Sequence, residues 1–257
     1  MTEPIADRYG SVLLDIDGVL RRGTQPIEGA GATLRALRER GVAVVLVTNN
    51  AAATPLAMAE RLRSVGVDAE PGEIVTSAMA AALLLAPGTR CLVIGMEGLR
   101  EALSSRGCIA VTEPGEAEAV VVGFDRNLVW DDLRRATLAL RAGVRFLATN
   151  DDATFPAAEG LWPGNGAVVA ALERSSGRAA EIAGKPHRPL LDLAAARAGA
   201  LPVLFVGDRH ETDIAGAAAR GWDTALVLTG VTQPEDVAGL DPAPTYLLRS
   251  VVDLLGM

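Results

Sequence analysis

Asp15-Ile16-Asp17-Gly18 stands where the apolar run Val12-Leu13-Leu14 stops. Residues two apart on an extended chain share a face but stand about 7 Å apart, so the two carboxylates converge only if the backbone turns after the first, and Gly18 permits that turn. Close carboxylates repel unless a cation lies between them or one holds a proton. A hard, oxygen-seeking divalent ion, most simply Mg²⁺, fits the first case. A turn with solvated charges would show the same residues, so the motif gains meaning only from partners elsewhere.

Three further clusters qualify. Thr48-Asn49-Asn50 follows the apolar residues 42–47, and Gly207-Asp208-Arg209 with Asp213 follows residues 203–206. Lys185 sits in Gly184-Lys185-Pro186 and is the only lysine of a chain that otherwise uses arginine. A compact ammonium is not equivalent to a planar guanidinium, and the flanking glycine and proline hold its backbone. Each cluster alone has a plainer use: a helix cap for Thr48-Asn49-Asn50, a turn residue for Asp208, a helix-face charge for Asp213. Together, beside core strands, they describe phosphoryl transfer. Asp15 would supply a carboxylate nucleophile that forms an aspartyl-phosphate. Asp17 would protonate the leaving alcohol and then deprotonate the attacking water. Thr48, Asn49 and Asn50, with nearby backbone amides, would hold phosphate oxygens. Lys185 would neutralise the phosphate and hold the nucleophile in place. Asp208 completes the metal site, Asp213 joining directly or through water, and the cation offsets the repulsion between two anions.

Such groups meet only if the strands that carry them end side by side. The pattern predicts strands at 12–16 and 42–47, a helix at 29–40, and a helix to about 65 capped by Thr54-Pro55. After residue 184 it predicts helices at 190–198 and 211–220, strands at 203–206 and 224–228, and a short closing helix at 251–255. Strand–helix alternation at both ends predicts an α/β fold, a doubly wound parallel sheet assembled from residues 1–76 and 184–257. Residues 77–183 carry their own strands (92–94, 119–122, 144–148) and helices (133–141, 167–174), which predicts an inserted second α/β domain. One continuous large sheet is the alternative. Thr149-Asn150-Asp151 echoes Thr48-Asn49-Asn50, which convergent loop chemistry explains.

Composition narrows the classes. The 257 residues are 49% hydrophobic and 22% charged, with a formal net charge of -8. That lacks the basic footprint of a nucleic-acid protein but leaves room for a local site that attracts an anion. Cys91 and Cys108 are too few for a disulfide scaffold and read as reduced small hydrophobes. Residues 1–10 do not follow the basic-then-apolar pattern of a leader, and no apolar run spans a bilayer, so a cytoplasmic protein without a membrane partner is expected. His187 and His210 are too few for a histidine zinc site, and His210 reads as a surface residue. Arg21 and Arg22 read as a solvated loop that could flank the entrance. Gly95-Met96-Glu97-Gly98 is too short a signal for a nucleotide loop, and residues 113–118 read as an acidic turn.

The ordered set Asp15-Ile16-Asp17-Gly18-Val19-Leu20, Thr48-Asn49-Asn50, Gly184-Lys185-Pro186 and Gly207-Asp208-Arg209-His210-Glu211-Thr212-Asp213-Ile214 resembles the haloacid dehalogenase superfamily. Its spacing is similar to the para-nitrophenylphosphatase-like branch, subclass IIA. The resemblance spans nearly the whole chain. It implies a Rossmann-like core, a large α/β cap inserted between the second and third motifs, and Mg²⁺ held by Asp15, the backbone carbonyl of Asp17, and Asp208. Dehalogenases of the superfamily lack an acid at the place of Asp17 and need no metal, so Asp17 points to phosphate chemistry. The branch includes phosphatases resembling those for glycerol 3-phosphate, 2-phosphoglycolate, nucleoside monophosphates, sugar phosphates and pyridoxal 5′-phosphate, which the core motifs do not separate. The resemblance places selectivity in the cap loop at 149–156, with Asn150, Asp151 and Asp152 as candidates and Trp162 and Asn165 behind them. An acidic Asp151-Asp152 would repel a second phosphate, so a small polyol or sugar monophosphate is expected. A homodimer is compatible with the resemblance. A phosphomutase and a non-catalytic phosphometabolite-binding protein are the competing readings.

Overall fold

The computed structural model describes residues 3–157 and 159–256. In chain order the strands are β1 (Ser11–Asp15), β2 (Arg21–Arg22), β3 (Gln25–Pro26), β4 (Ala43–Thr48), β5 (Ile74–Thr76), β6 (Arg90–Ile94), β7 (Ile109–Val111), β8 (Ala119–Val122), β9 (Arg145–Ala148), β10 (Thr154–Ala157), β11 (Gly160–Pro163), β12 (Glu181–Ile182), β13 (Val203–Gly207), β14 (Asp223–Val227) and β15 (Tyr246–Leu248). By contacts the chain divides into two units. The first holds the chain through Thr48, Pro55–Val75 and everything from Leu191; the second holds Asn49–Thr54 and Thr76–Leu190.

The first unit is built on a six-stranded sheet in the order β15-β14-β13-β1-β4-β5. β1 pairs in parallel with β4 on one side and β13 on the other, and β14 and β15 continue in parallel. Parallel strands are covered on both faces, which is why their sequences are continuous apolar runs and not alternating ones. Val12, Leu13, Leu14, Leu46, Phe205 and Val206 are accordingly buried. The helix Ala30–Glu39 turns Leu34 and Leu37 inward between β1 and β4 in sequence. Gly31 lies so close to the backbone carbonyl of Gly66 that a Cβ there would collide with it.

The second unit carries a five-stranded parallel sheet, β12-β9-β8-β6-β7. Leu92, Val120, Val122, Ala136, Leu140 and Leu172 form its core with the helices Trp130–Arg141 and Asn165–Ser176. The strands thus fall into two principal sheets, not one continuous sheet. Gly95-Met96-Glu97-Gly98 opens the helix Glu97–Ser105, with Gly98 pressed against backbone carbonyls of Ala51 and Ala53.

One predicted element changes character. The helix expected at 211–220 is a π-helical turn, His210–Ile214, followed by a short α-helix, Ala215–Ala218. The Ile214 N–H reaches back five residues to the Arg209 carbonyl at 3.3 Å, and within the same turn the Asp213 carboxylate accepts backbone hydrogen bonds from Asp208 and Arg209. Single π turns of this kind recur at functional sites.

Candidate active site

β1 is the point where the first unit's chain path reverses direction across the sheet. Its successors β4 and β5 lie on one side, and β13 to β15 on the other. Ligands of open α/β sheets bind at the carboxyl ends of strands at such a point. Asp15 is the last residue of β1, Thr48 the last of β4, and Asp208 directly follows β13.

There Asp15, Asp208 and Asp213 each offer a carboxylate oxygen within 4.8 Å of the others. They are 9%, 2% and 1% exposed. Three acids this close and this buried are compatible only with a cation or with protonation. An all-oxygen set fits Mg²⁺ in kind. The backbone braces the cluster: the Val231 N–H donates to Asp208 Oδ2 at 2.7 Å, and the Thr232 N–H to the Asp208 carbonyl at 3.1 Å. Asp213 Oδ2 accepts from the N–H groups of Asp208 (3.2 Å) and Arg209 (3.1 Å). Glycines keep the space open. A Cβ at Gly18 or Gly230 would strike the Asp208 carboxylate, and one at Gly207 would strike Asp213. Gly18 also has φ 87°, a left-handed conformation that favours glycine.

The Asp17 side chain lies outside this trio and is half-exposed, with Oδ1 at 3.0 Å from Nη2 of Arg21. The Gly18 N–H donates to the Arg21 carbonyl at 2.7 Å, which closes the loop. Arg22 donates through Nε to the Thr229 carbonyl at 3.1 Å, and the Thr229 hydroxyl donates to the Gly18 carbonyl at 2.6 Å. These contacts tie both arginines to the Asp15–Asp17 loop; Arg21 is half-buried, whereas Arg22 is exposed as a solvated loop residue would be. The bracing loop 229–232 escaped the sequence reading altogether. Its one available signal is a Thr-Gly step just after a buried strand.

The remaining candidates belong to the second unit. The Asn49 carboxamide accepts from the Lys185 N–H at 2.7 Å and donates to the Lys185 carbonyl at 3.0 Å. Asn50 Oδ1 accepts from the Ala52 N–H at 2.9 Å, an Asx turn. Lys185 is 2% exposed. Asn150 is buried, donating to the Asn49 carbonyl at 2.8 Å and accepting from the Asp152 N–H at 3.2 Å. Asn165 is buried as well and donates to the Asn150 carbonyl at 2.6 Å. Asp151 is exposed, with His187 Nε2 3.8 Å away. Trp162 is partly exposed and donates to Glu159 at 3.0 Å, while Phe124 and Phe155 stack with centroids 4.9 Å apart.

His210 Nε2 lies 2.9 Å from the Pro242 carbonyl. Burial, and then the neighbouring Cys108, pushes the Cys91 thiol up to about 12, so it stays protonated. A cavity of about 300 Å³ is lined by Arg8, Tyr246, Arg249 and Asp253 among others; none of the predicted site residues lines it. Among the described residues no helix is long and apolar enough to cross a membrane.

Known proteins share this organisation. The haloacid dehalogenase-like hydrolase family matches residues 12–109, and a HAD-hydrolase-like family matches residues 182–254. An acid sugar phosphatase of Staphylococcus haemolyticus is 35% identical over 248 residues, 95% of this chain and 94% of the relative. The crystal structure of a glycerol phosphate phosphatase from Mycobacterium tuberculosis in complex with magnesium is 38% identical with a TM-score of 0.94, covering 100% of this chain and 79% of that one. The p-nitrophenyl phosphatase of Archaeoglobus fulgidus is 33% identical with a TM-score of 0.89, covering 96% and 98%. Buried acids at the carboxyl edge of a doubly wound sheet and these likenesses lead to one conclusion: the chain belongs to the haloacid dehalogenase-like hydrolases, in their p-nitrophenylphosphatase-like branch, and is a phosphatase.

Proposed function

We propose that this phosphatase hydrolyses a small monoester of a polyol or sugar through an aspartyl-phosphate on Asp15. The juxtaposition of Asp15, Asp208 and Asp213 carries the reading. Asp15, Asp208 and the backbone carbonyl of Asp17 would hold Mg²⁺, with Asp213 joining directly or through water. The bound ion supplies the positive charge that lets an anionic nucleophile approach an anionic ester. An Asp15 oxygen attacks phosphorus, the bond from phosphorus to the ester oxygen breaks, and Asp17 gives the leaving oxygen a proton. Asp17 then takes a proton from water as that water attacks phosphorus, and inorganic phosphate leaves Asp15. Thr48 and Lys185 bind the transferred group's oxygens throughout.

The second unit is the cap that selects the substrate. Two observations support a small uncharged leaving group. Asp151 is exposed on an acidic loop, and a second anionic group would be repelled there. The similar proteins are named for sugar phosphate and glycerol phosphate. Phosphate release across a panel of esters, with Mg²⁺ and with chelator, tests the proposal. Best turnover of glycerol or hexose monophosphates, abolished by chelation, is expected. Metal-independent release would overturn the cation-bridged cluster, and best turnover of a bisphosphate would overturn the substrate class.

A further inference from the structure

The Asn49 carboxamide grips one neighbour's backbone with both its oxygen and its nitrogen. Oδ1 accepts the Lys185 N–H at 2.7 Å and Nδ2 donates to the Lys185 carbonyl at 3.0 Å. The remaining Nδ2 hydrogen faces the Asp152 carboxylate at 3.2 and 3.3 Å. The Asn49 backbone carbonyl is held in turn by the Ser77 hydroxyl at 2.7 Å and by Asn150 Nδ2 at 2.8 Å. Gly184 makes the approach possible, because a Cβ there would strike Asn49 Oδ1 and the Thr149 carbonyl.

We infer that Asn49 is a positioning residue that acts through Lys185 and does not itself bind phosphate. The inference rests on the proposed phosphate-binding role of Lys185. A lysine side chain has a flexible four-carbon stem, and a catalytic cation must be held close to its productive place. Pinning the backbone on both sides of the Lys185 Cα fixes the base from which that stem extends. Only a carboxamide offers an acceptor and a donor at this spacing. An aspartate of the same size would lose the donor and set a second charge against Asp152. The second amide of the echoing loop, Asn150, extends the brace. It ties the Asn49 carbonyl to the Asp152 N–H, so both Thr-Asn loops serve one lysine.

Because Lys185 is the only lysine, ¹⁵N-lysine labelling gives one backbone amide signal, read directly by hydrogen exchange in the full-length protein. In Asn49→Ala that amide should exchange at least about 10-fold faster than in wild type, since it loses its acceptor. Activity supplies the second readout. Asn49→Ala should lower kcat/KM about 100-fold, as misplacement of a catalytic group does, yet cost less than about 3-fold when added to Lys185→Ala. A full 100-fold loss in the Lys185→Ala background would mean direct action on the substrate and overturn the inference. Unchanged exchange of the Lys185 amide would also overturn it. The exchange experiment does not depend on turnover, so a failure of the phosphatase proposal and a failure of the brace are separate results. Should Asn49→Ala unfold the protein, Asn49→Leu, which keeps the side chain's size but has neither acceptor nor donor, carries the same two measurements.

Discussion

At the amino edge of the six-stranded sheet Asp223 meets hydroxyls, while at the carboxyl edge Asp15, Asp208 and Asp213 meet one another. Tyr9 donates to Asp223 Oδ2 at 2.8 Å and Thr245 to Oδ1 at 3.2 Å, and Tyr9 also lies 3.1 Å from the Tyr246 hydroxyl. That arrangement supplies each carboxylate oxygen with a donor and stabilises the fold. The carboxyl edge gathers like charges within 4.8 Å and surrounds them with glycines that leave room. The same sheet thus carries an acid paired with hydroxyls at one edge and a crowded trio of acids, braced by backbone N–H groups, at the other. Carboxylates crowded together at the carboxyl ends of strands point to function, and a lone one paired with hydroxyls points to stability.

The comparison can be broken most decisively at Asp15. Asp15→Asn should lower phosphate release from para-nitrophenyl phosphate by at least about 1,000-fold with little loss of thermal stability, because a neutral amide cannot serve as the nucleophile. Release at the wild-type rate would remove Asp15 from the chemistry. A smaller effect is expected one residue outside the cluster. Gly230→Ala adds a single methyl that meets the Asp208 carboxylate. The Mg²⁺ concentration for half-maximal activity should rise about 10- to 100-fold, the scale seen when a ligand's supporting contact is disturbed. An unchanged magnesium titration would show that Asp208 is free to move aside.

The amino edge should give the opposite signature. Tyr9→Phe removes two hydroxyl contacts and should cost about 1–2 kcal/mol of stability while leaving kcat intact. Differential scanning calorimetry with a parallel rate assay separates the two. The smallest effect is one of pH. Burial first, then the hydrogen bonds to Tyr246 and Asp223, pushes the Tyr9 hydroxyl well above its usual value of 10. A group whose pKa is raised by folding stabilises fully below its unfolded value and loses that contribution as pH rises beyond it. Wild-type stability should therefore decline above pH 10.0 with an added slope of up to about 1.4 kcal/mol per pH unit. Thermal melts of Tyr9→Phe between pH 9 and 11 should lack that slope.

Much of this site was legible because the chemistry sits at the ends of long apolar runs. β1, β4 and β13 are buried parallel strands, and their runs of Val, Leu and Phe announced both the elements and the polar residues that end or follow them. Strands of two or three residues were missed, namely β2, β3, β5, β7, β12 and β15, as were the four-residue β10 and β11, because runs so short show no period; β8 and β9, equally short, were found because they are continuously apolar or nearly so. The pairing of Arg21 with Asp17 was hidden for a different reason. A spacing of four residues signals contact on a helix, but here it spans a turn that only the Gly18 conformation creates. The role of Asn49 depends on a partner 136 residues away in sequence. Nothing in the local pattern distinguishes an amide that caps a helix from one that grips a distant backbone.

The route of the chain has a practical corollary for anyone who wishes to exchange substrate-selecting modules between relatives. Asn49–Thr54 groups with the second unit, although it is flanked in sequence by pieces of the first. A graft cut only at the ends of the long insertion would bring a foreign lysine loop to a resident asparagine shaped for another. The short hexapeptide after Thr48 must travel with the module as a separate splice, or the chimera will inherit a mismatched grip.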